Sequence, residues 1–389
     1  MVEAASVTGN VKNNSAENAE ELSAMLNSYA EVTDKKVILK TDIKNNMGEL
    51  NASENEGFDA VKNMSLALIG DSRKDELTPL LYSDAASAKS ALSAMGNNAA
   101  SDMYAVTQRS AAINNAIRER ATETKIDHNG WVKYTKNWGD LKSGANYHSQ
   151  GIIGGYDEKM GKNWRGGVFV GYNATGLGKS NASGNIYDTR FGLYALYHKD
   201  VNDAYIYADY GEAKNRLNRG IPAIGVSTEA KYDSSIIEIG GEYKRNLQPN
   251  KIWNVSPFIN LQYTYLKQDS YKENGGGIFN HRVKMKKNNY LAGLVGVEFK
   301  RNFKLGSYAA RVGVKHAFTK LDGALQYNYE GDSNNAYVMK NNQSRTHFVL
   351  SLAGENEFAK GWRLGGHLQL QKGSGGKDLS ASVMLRKVW

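Results

Sequence analysis

Few residues in this chain are grouped as a reactive centre would require. His148 and Ser149 are a base and a nucleophile side by side, but neighbours on a strand point to opposite faces, so the two cannot touch directly. The seven histidines are scattered, with no His-x-x-x-His or carboxylate spacing; no metal site is expected. Gly275-Gly276-Gly277 and Gly373-Ser374-Gly375-Gly376 precede no helix, so neither suits a phosphate, and no cofactor is expected. Paired asparagines occur at Asn45-Asn46, Asn97-Asn98 and Asn114-Asn115. In an Asn-rich chain such pairs are ordinary features of a solvated helix or loop. Nothing here has the make-up of an enzyme.

The bulk composition points instead to a scaffold of strands. A mean hydropathy of -0.56 and 23% charged residues exclude a helical membrane protein. No stretch approaches the roughly 18 consecutive apolar residues that a spanning helix needs. Membrane β-barrels escape that test, because only alternate side chains meet lipid. The 389 residues include 40 Gly and 23 Tyr but 4 Pro, which suits long strands with aromatic belts, since Pro cannot donate to a ladder. The absence of cysteine suits a chain that crosses an oxidising periplasm. Met1 to Ala5 has neither a basic nor an apolar signal region; a secreted version would be a mature or C-terminal piece of something longer. Residues 1–126 carry a net charge of -5 and the remainder +14. The positive residues are spread singly, without the compact cluster of a phosphate-binding surface, so nucleic acid is not an expected partner.

Three regions follow. Residues 1–82 read as a passenger remnant or junction, partly helical: Ser15 to Val32 carries Leu22, Met25, Leu26 and Tyr29 at helical spacing, and Lys36 to Lys40 suits a short strand. Residues 83–126 read as a linker α-helix, with Ser83-Asp84 as N-cap and an interruption at Gly96-Asn97-Asn98. From Ala99 to about Thr124 such a helix would be roughly 39 Å long, enough to cross a hydrocarbon core of about 30 Å. Met103, Val106, Ile113 and Ile117 give it a weakly apolar face, and the rest, Glu119 included, is small or polar. That surface is unfit for lipid and fit for a wet lumen.

From 127 to 389 the period is two. Ile259, Leu261, Tyr263 and Tyr265 alternate with Phe258, Asn260, Gln262 and Thr264; Ile237, Ile239, Gly241 and Tyr243 alternate with Glu238, Gly240, Glu242 and Lys244. Strands are expected at 129–139, 146–157, 162–173, 184–199, 202–216, 228–246, 251–270, 282–300, 303–319, 343–357, 361–373 and 377–389. Connections alternate between tight ones (158–161, 200–201, 247–250, 301–302, 358–360) and mostly longer ones (174–183, 217–227, 271–281, 320–342). Short turns on one side and long loops on the other are the asymmetry of outer-membrane barrels. Trp131, Trp164, Trp253, Trp362 and Trp389 fall near the short-turn end, where an aromatic belt is expected because indole prefers an apolar–wet boundary. The fold class is therefore an all-β membrane protein, a closed antiparallel β-barrel of about twelve strands with an N-terminal α-helix threaded through its lumen.

At these residues the chain resembles the C-terminal translocator domain of monomeric autotransporters, the type V secretion proteins. The run Gly154-Gly155-Tyr156-Asp157-Glu158-Lys159-Met160-Gly161-Lys162-Asn163-Trp164-Arg165-Gly166-Gly167-Val168-Phe169-Val170-Gly171-Tyr172 is similar to that family's second hairpin. Phe191-Gly192-Leu193-Tyr194-Ala195 and Tyr205-Ile206-Tyr207 resemble the next. Ser382 to Trp389 resembles the closing strand, with Val383, Leu385 and Trp389 as the assembly signal; Met384 stands where Gly is common and Lys387 where an aromatic is usual. The resemblance implies integral residence in the bacterial outer membrane, an upstream passenger delivered to the cell surface, and lipid, the barrel-assembly machinery and periplasmic chaperones as partners. Ile113 to Arg120 also resembles the linker of autotransporters that cut themselves inside the barrel, which would place scission between Asn114 and Asn115. Glu119 and Glu123 are candidates to pair with Arg190, Arg311 or Arg363. The rival readings are a porin or channel and a barrel enzyme such as a phospholipase.

Overall fold

In the computed structural model, residues 2–3, 23–32, 36–120, 128–248, 252–319, 324–339, 341 and 343–389 are described. Twelve strands close into one antiparallel barrel: β1 His128–Leu141, β2 Asn146–Lys159, β3 Trp164–Lys179, β4 Ala182–Lys199, β5 Asn202–Ile221, β6 Val226–Arg245, β7 Trp253–Gln268, β8 Lys286–Phe303, β9 Gly306–Ala317, β10 Thr346–Ala359, β11 Trp362–Gly373 and β12 Gly376–Val388. Each pairs with its neighbours in sequence, and β12 pairs with β1 from Gly376↔Leu141 to Val388↔Asn129. Closure leaves no unpaired edge, which a barrel in hydrocarbon requires. The side-chain alternation holds: Ile259 and Leu261 are exposed on the outer face, while Phe258, Asn260, Gln262 and Thr264 are buried inside.

Two of the expected long loops are strand instead. β3 and β4 run on to a turn at 180–181, and β5 and β6 to 222–225. The inward phase of β5 continues through Ala213, Asn215, Leu217 and Arg219, all buried, so the period never broke. Twenty residues at about 3.3 Å each make a strand of roughly 65 Å, which projects beyond the membrane even at the usual tilt. This projecting wall supports the other outer connections. Within 269–285 and 318–345, the pieces Tyr271–Lys272, His281–Val283, Leu325–Tyr329 and Asp332–Met339 form a separate four-stranded sheet.

The N-terminal region differs most from expectation. Leu26–Val32 is a strand, not the end of a helix, and it pairs with Lys36–Ile43 from Leu26↔Ile43 to Val32↔Val37. The tertiary partner overrides the helical spacing, as strand propensity often allows; residues 15–22 lie outside the described residues. Helix α1, Ala52–Ala67, starts at a capping box of Asn51 and Glu54. Helix α2, Ala85–Met95, is capped by Asp84 as the sequence suggests and stops at Gly96. The helix expected from Ala99 is broken in two, α3 Ala100–Arg109 and α4 Ala112–Arg120, with extended backbone at Ser110. The barrel wall causes the break: Gln262 Nε2 donates to the Ser110 carbonyl at 2.9 Å, satisfying a group the helix would have used. Residues 121–127 lie outside the described residues. No helix among the described residues is long and apolar enough to cross a membrane. One buried apolar cluster joins Phe58, Met64 and Leu92 to Ile278, Phe279 and Tyr327, so helices and outer sheet share a core.

Candidate functional site

The site is the lumen and the segment that fills it. Ile113, Ala116 and Ile117 of α4 pack against Phe169 and Tyr194 of the wall, and Met103 of α3 is buried with Val106 against the upper core. The polar faces are held more specifically. Arg120 reaches Asp157 through Nε at 3.1 Å and Nη2 at 2.9 Å, with both side chains fully buried. Asp157 also accepts from Arg165 Nε at 2.9 Å, Tyr194 Oη at 2.6 Å and Asn129 Nδ2 at 3.1 Å. An ionised carboxylate has about four lone-pair sites, and here they are filled by two guanidinium groups, a phenol and an amide. Pairing of this kind is what makes a buried charge tolerable.

Just before it in the helix, Glu119 pairs with Lys133 at 2.7 Å and lies 3.3 Å from His367 Nδ1, while Arg118 donates to Asn115 Oδ1 at 2.8 Å and lies 3.0 Å from His367 Nε2. The partners proposed from sequence for Glu119 are engaged elsewhere. Arg190 bonds Asp188 and Asp209, Arg311 bonds Glu242, and Arg363 faces Glu355 and Glu357. Each also has an acid on its own or the adjacent strand, Asp188 for Arg190, Glu298 for Arg311 and Glu355 for Arg363, so none needs to reach the helix. Glu123 lies outside the described residues. Asn114 Oδ1 accepts from Tyr205 Oη at 2.6 Å and Asn260 Nδ2 at 3.1 Å, and its Nδ2 lies 3.0 Å from Asn260 Oδ1. Toward the outer mouth, Arg109 bonds Gln343 and His347, and Asp102 accepts from Ser143 and Asn341 and pairs with Lys179.

The wall also places the sequence-derived rim residues. Trp164, Trp253, Trp362 and Trp389 are exposed near the short-turn end. Trp131 is not with them: it is 5% exposed and donates from Nε1 to Tyr194 Oη at 2.8 Å inside the barrel. Gly155 makes room for it, since a Cβ there would sit 2.6 Å from the indole. Trp131 is out of phase with the outward Val132 and Tyr134, a signal that position along the strand alone concealed. On β12, Val383 points outward, and Met384 and Arg386 are buried inward. His148 is exposed and Ser149 buried, so they do sit on opposite faces. Asp157 went unrecognised as the hub, yet it shares the inward phase of Ser149, Ile153 and Gly155, the one carboxylate in that row.

The linker thus fills the pore of a closed twelve-strand wall and is gripped by side chains of that wall. The family profile described as Autotransporter beta-domain matches residues 130–369. The chain belongs to the autotransporter β-domain family. Among solved structures, this autotransporter barrel is similar to the translocator domain of NalP from Neisseria meningitidis, with a TM-score of 0.65 at 16% identity, covering 75% of this chain and 98% of that one. It is also similar to the β-domain of the Bordetella autotransporter BrkA (TM-score 0.55, 17% identity, 68% and 100% covered) and the transport unit of AIDA-I from Escherichia coli (0.54, 15%, 75% and 100%). An extracellular serine protease of Serratia marcescens is 25% identical over 237 residues, 54% of this chain and 21% of that protein. The autotransporter chain thus spans about a fifth of the curated relatives it matches. Its role is that of an outer-membrane translocator domain.

Proposed function

We propose that the barrel inserts into the bacterial outer membrane with its short turns at the periplasm, that an upstream passenger reaches the cell surface through the lumen, and that α3 and α4 remain as the tether and plug. What carries this reading is the buried Arg120–Asp157 pair: the wall holds a site for one particular cation of the linker, which an open diffusion pore would not need. The outward apolar stripe suits lipid. Val383, Leu385 and Trp389 offer the barrel-assembly machinery an ending to read, after periplasmic chaperones have kept the strands apart. Conductance in planar bilayers tests the plug. The intact chain should conduct little, and deletion of residues 85–125 should open a steady pore; an intact chain that conducts from the start would refute it.

We further propose that the linker persists uncut. Scission would require Asn114 Nδ2 to attack its own carbonyl carbon, forming a succinimide and expelling the Asn115 amine. That nitrogen must lose a proton, and it lies 3.0 Å from Asn260 Oδ1, an amide oxygen far too weak a base for the task.

A further inference from the structure

The outer mouth carries a surface that transport and plugging do not account for. At Asn98 the chain turns from α2 into the pore, and there a buried cluster seizes it. Arg219 of β5 bonds Glu273 through Nη2 at 2.6 Å, both side chains fully buried, and donates to the carbonyls of Met95 at 3.2 Å and Phe279 at 2.8 Å. Asn98 Nδ2 donates to Glu273 Oε1 at 3.0 Å, and Glu273 also accepts the His281 amide at 2.9 Å. One carboxylate thus joins a barrel strand, an outer connection and the transported segment.

Away from this cluster, the contact continues along α1 and the turn Ser72–Leu77 that follows it. Glu76 accepts from the Ile278 amide at 2.9 Å, and Asn63 Nδ2 donates to Tyr337 Oη at 3.0 Å. Met64 and Leu92 share a dry core with Ile278 and Phe279. Neither the helices nor the small sheet could bury these faces alone.

We infer that the sheet of Tyr271–Lys272, His281–Val283, Leu325–Tyr329 and Asp332–Met339, with Ile278 and Phe279 beside it, is a docking surface for residues 52–98 of the same chain, and that it anchors the passenger side to the barrel independently of the pore helix. The inference rests on the translocator reading for its biological meaning. The docking itself is a separate matter of affinity. A folded α1–α2 pair is wider than an extended chain, so once docked it also bars the linker from slipping back inward. The anchor forms only after this segment has emerged.

The test is a cut chain. A protease site is placed within 121–127 of the full-length protein, the barrel is folded in detergent and cut, and size exclusion follows whether the upstream fragment stays with the barrel. The wild-type fragment should remain bound, and so should that of Arg120→Met, which loses the buried Arg120–Asp157 pair of the pore helix while Asp157 keeps Arg165. Ile278→Asp should release the fragment at least about tenfold faster, a difference of about 1.4 kcal/mol. Should that variant fail to fold, Gly57→Leu acts within the docked segment alone, because a Cβ at Gly57 would stand 2.3 Å from the Leu92 carbonyl oxygen, and it should release the fragment equally fast. Prompt release from the wild type would overturn the inference, as would release from Arg120→Met with retention by Ile278→Asp. Bilayer conductance reads the translocator proposal by itself, so the two failures are distinguishable.

Discussion

Single side chains decide how firmly the lumen is filled. Replacing Asp157 by Ala would leave Arg120 and Arg165 buried without their shared carboxylate, and breaking a buried pair in this way costs about 3–5 kcal/mol. The expected outcome is a lower midpoint in the heat-induced gel shift of the folded barrel, together with bursts of current through a loosened plug. At Asn114 the expectation is chemical: refolded protein weighed intact should keep its full mass of 42.8 kDa, and a fragment ending at Asn114 would mean that some other group takes the proton. His281 sets a pH dependence outside the membrane. Burial, and then the Arg219 charge, push its imidazole down to about 3, against a partly opposing Glu273; Tyr327 and Tyr329 face the same ring. A free imidazole titrates near 6.5 and docking of Met95 and Asn98 adds to the burial that depresses this one, so docking is strongest above about pH 6.5 and weakens as pH falls toward 3. Retention of the cut fragment should therefore drop between pH 7 and 5, by up to about tenfold per pH unit below 6.5, and His281→Gln should flatten that slope.

Elements were legible in the sequence to the extent that a local period reports them. All twelve barrel strands follow from alternation, because burying one face in lipid and the other in a polar lumen fixes the phase of every residue. What alternation cannot show is where a strand leaves the membrane. Leu217 and Arg219 keep the inward phase to the far end of β5, in a stretch whose composition reads as loop. Trp131 illustrates the complementary error, a residue type read by its place along the strand when its phase pointed inward. Of the hairpin at 26–43, the second strand was legible at Lys36 to Lys40 and the first was masked by a chance helical spacing, whereas the break at Ser110 depends on Gln262, a partner distant in sequence that no local pattern reveals. For the same reason the lumen apolar face was legible at Met103, Ile113 and Ile117, while the ion-pair partners of Glu119 and Arg120 were not.

At the scale of the whole molecule, the order of the parts implies an order of events and a sidedness. The pore segment lies between a wall that closes at β12 and helices that dock outside, so the last strand and the last docking contact are made at opposite ends. Which end faces the medium is directly testable, because the chain has no native cysteine and any thiol introduced is unique. Asp200→Cys, in the two-residue turn between β4 and β5, should be silent to an impermeant maleimide on intact cells and react only after lysis. Asn334→Cys, exposed in the outer sheet, should react on intact cells. Reversed labelling would invert the molecule in the membrane and with it the direction of transport. If both sites are silent on whole cells, the barrel is not in the outer membrane and the lipid-facing argument for Ile237, Ile259 and Leu261 loses its solvent. The predicted pattern follows from one asymmetry: short turns can be drawn through a bilayer during insertion at little cost, whereas a sheet that buries Tyr327 and Phe279 must fold on the side where the helices arrive.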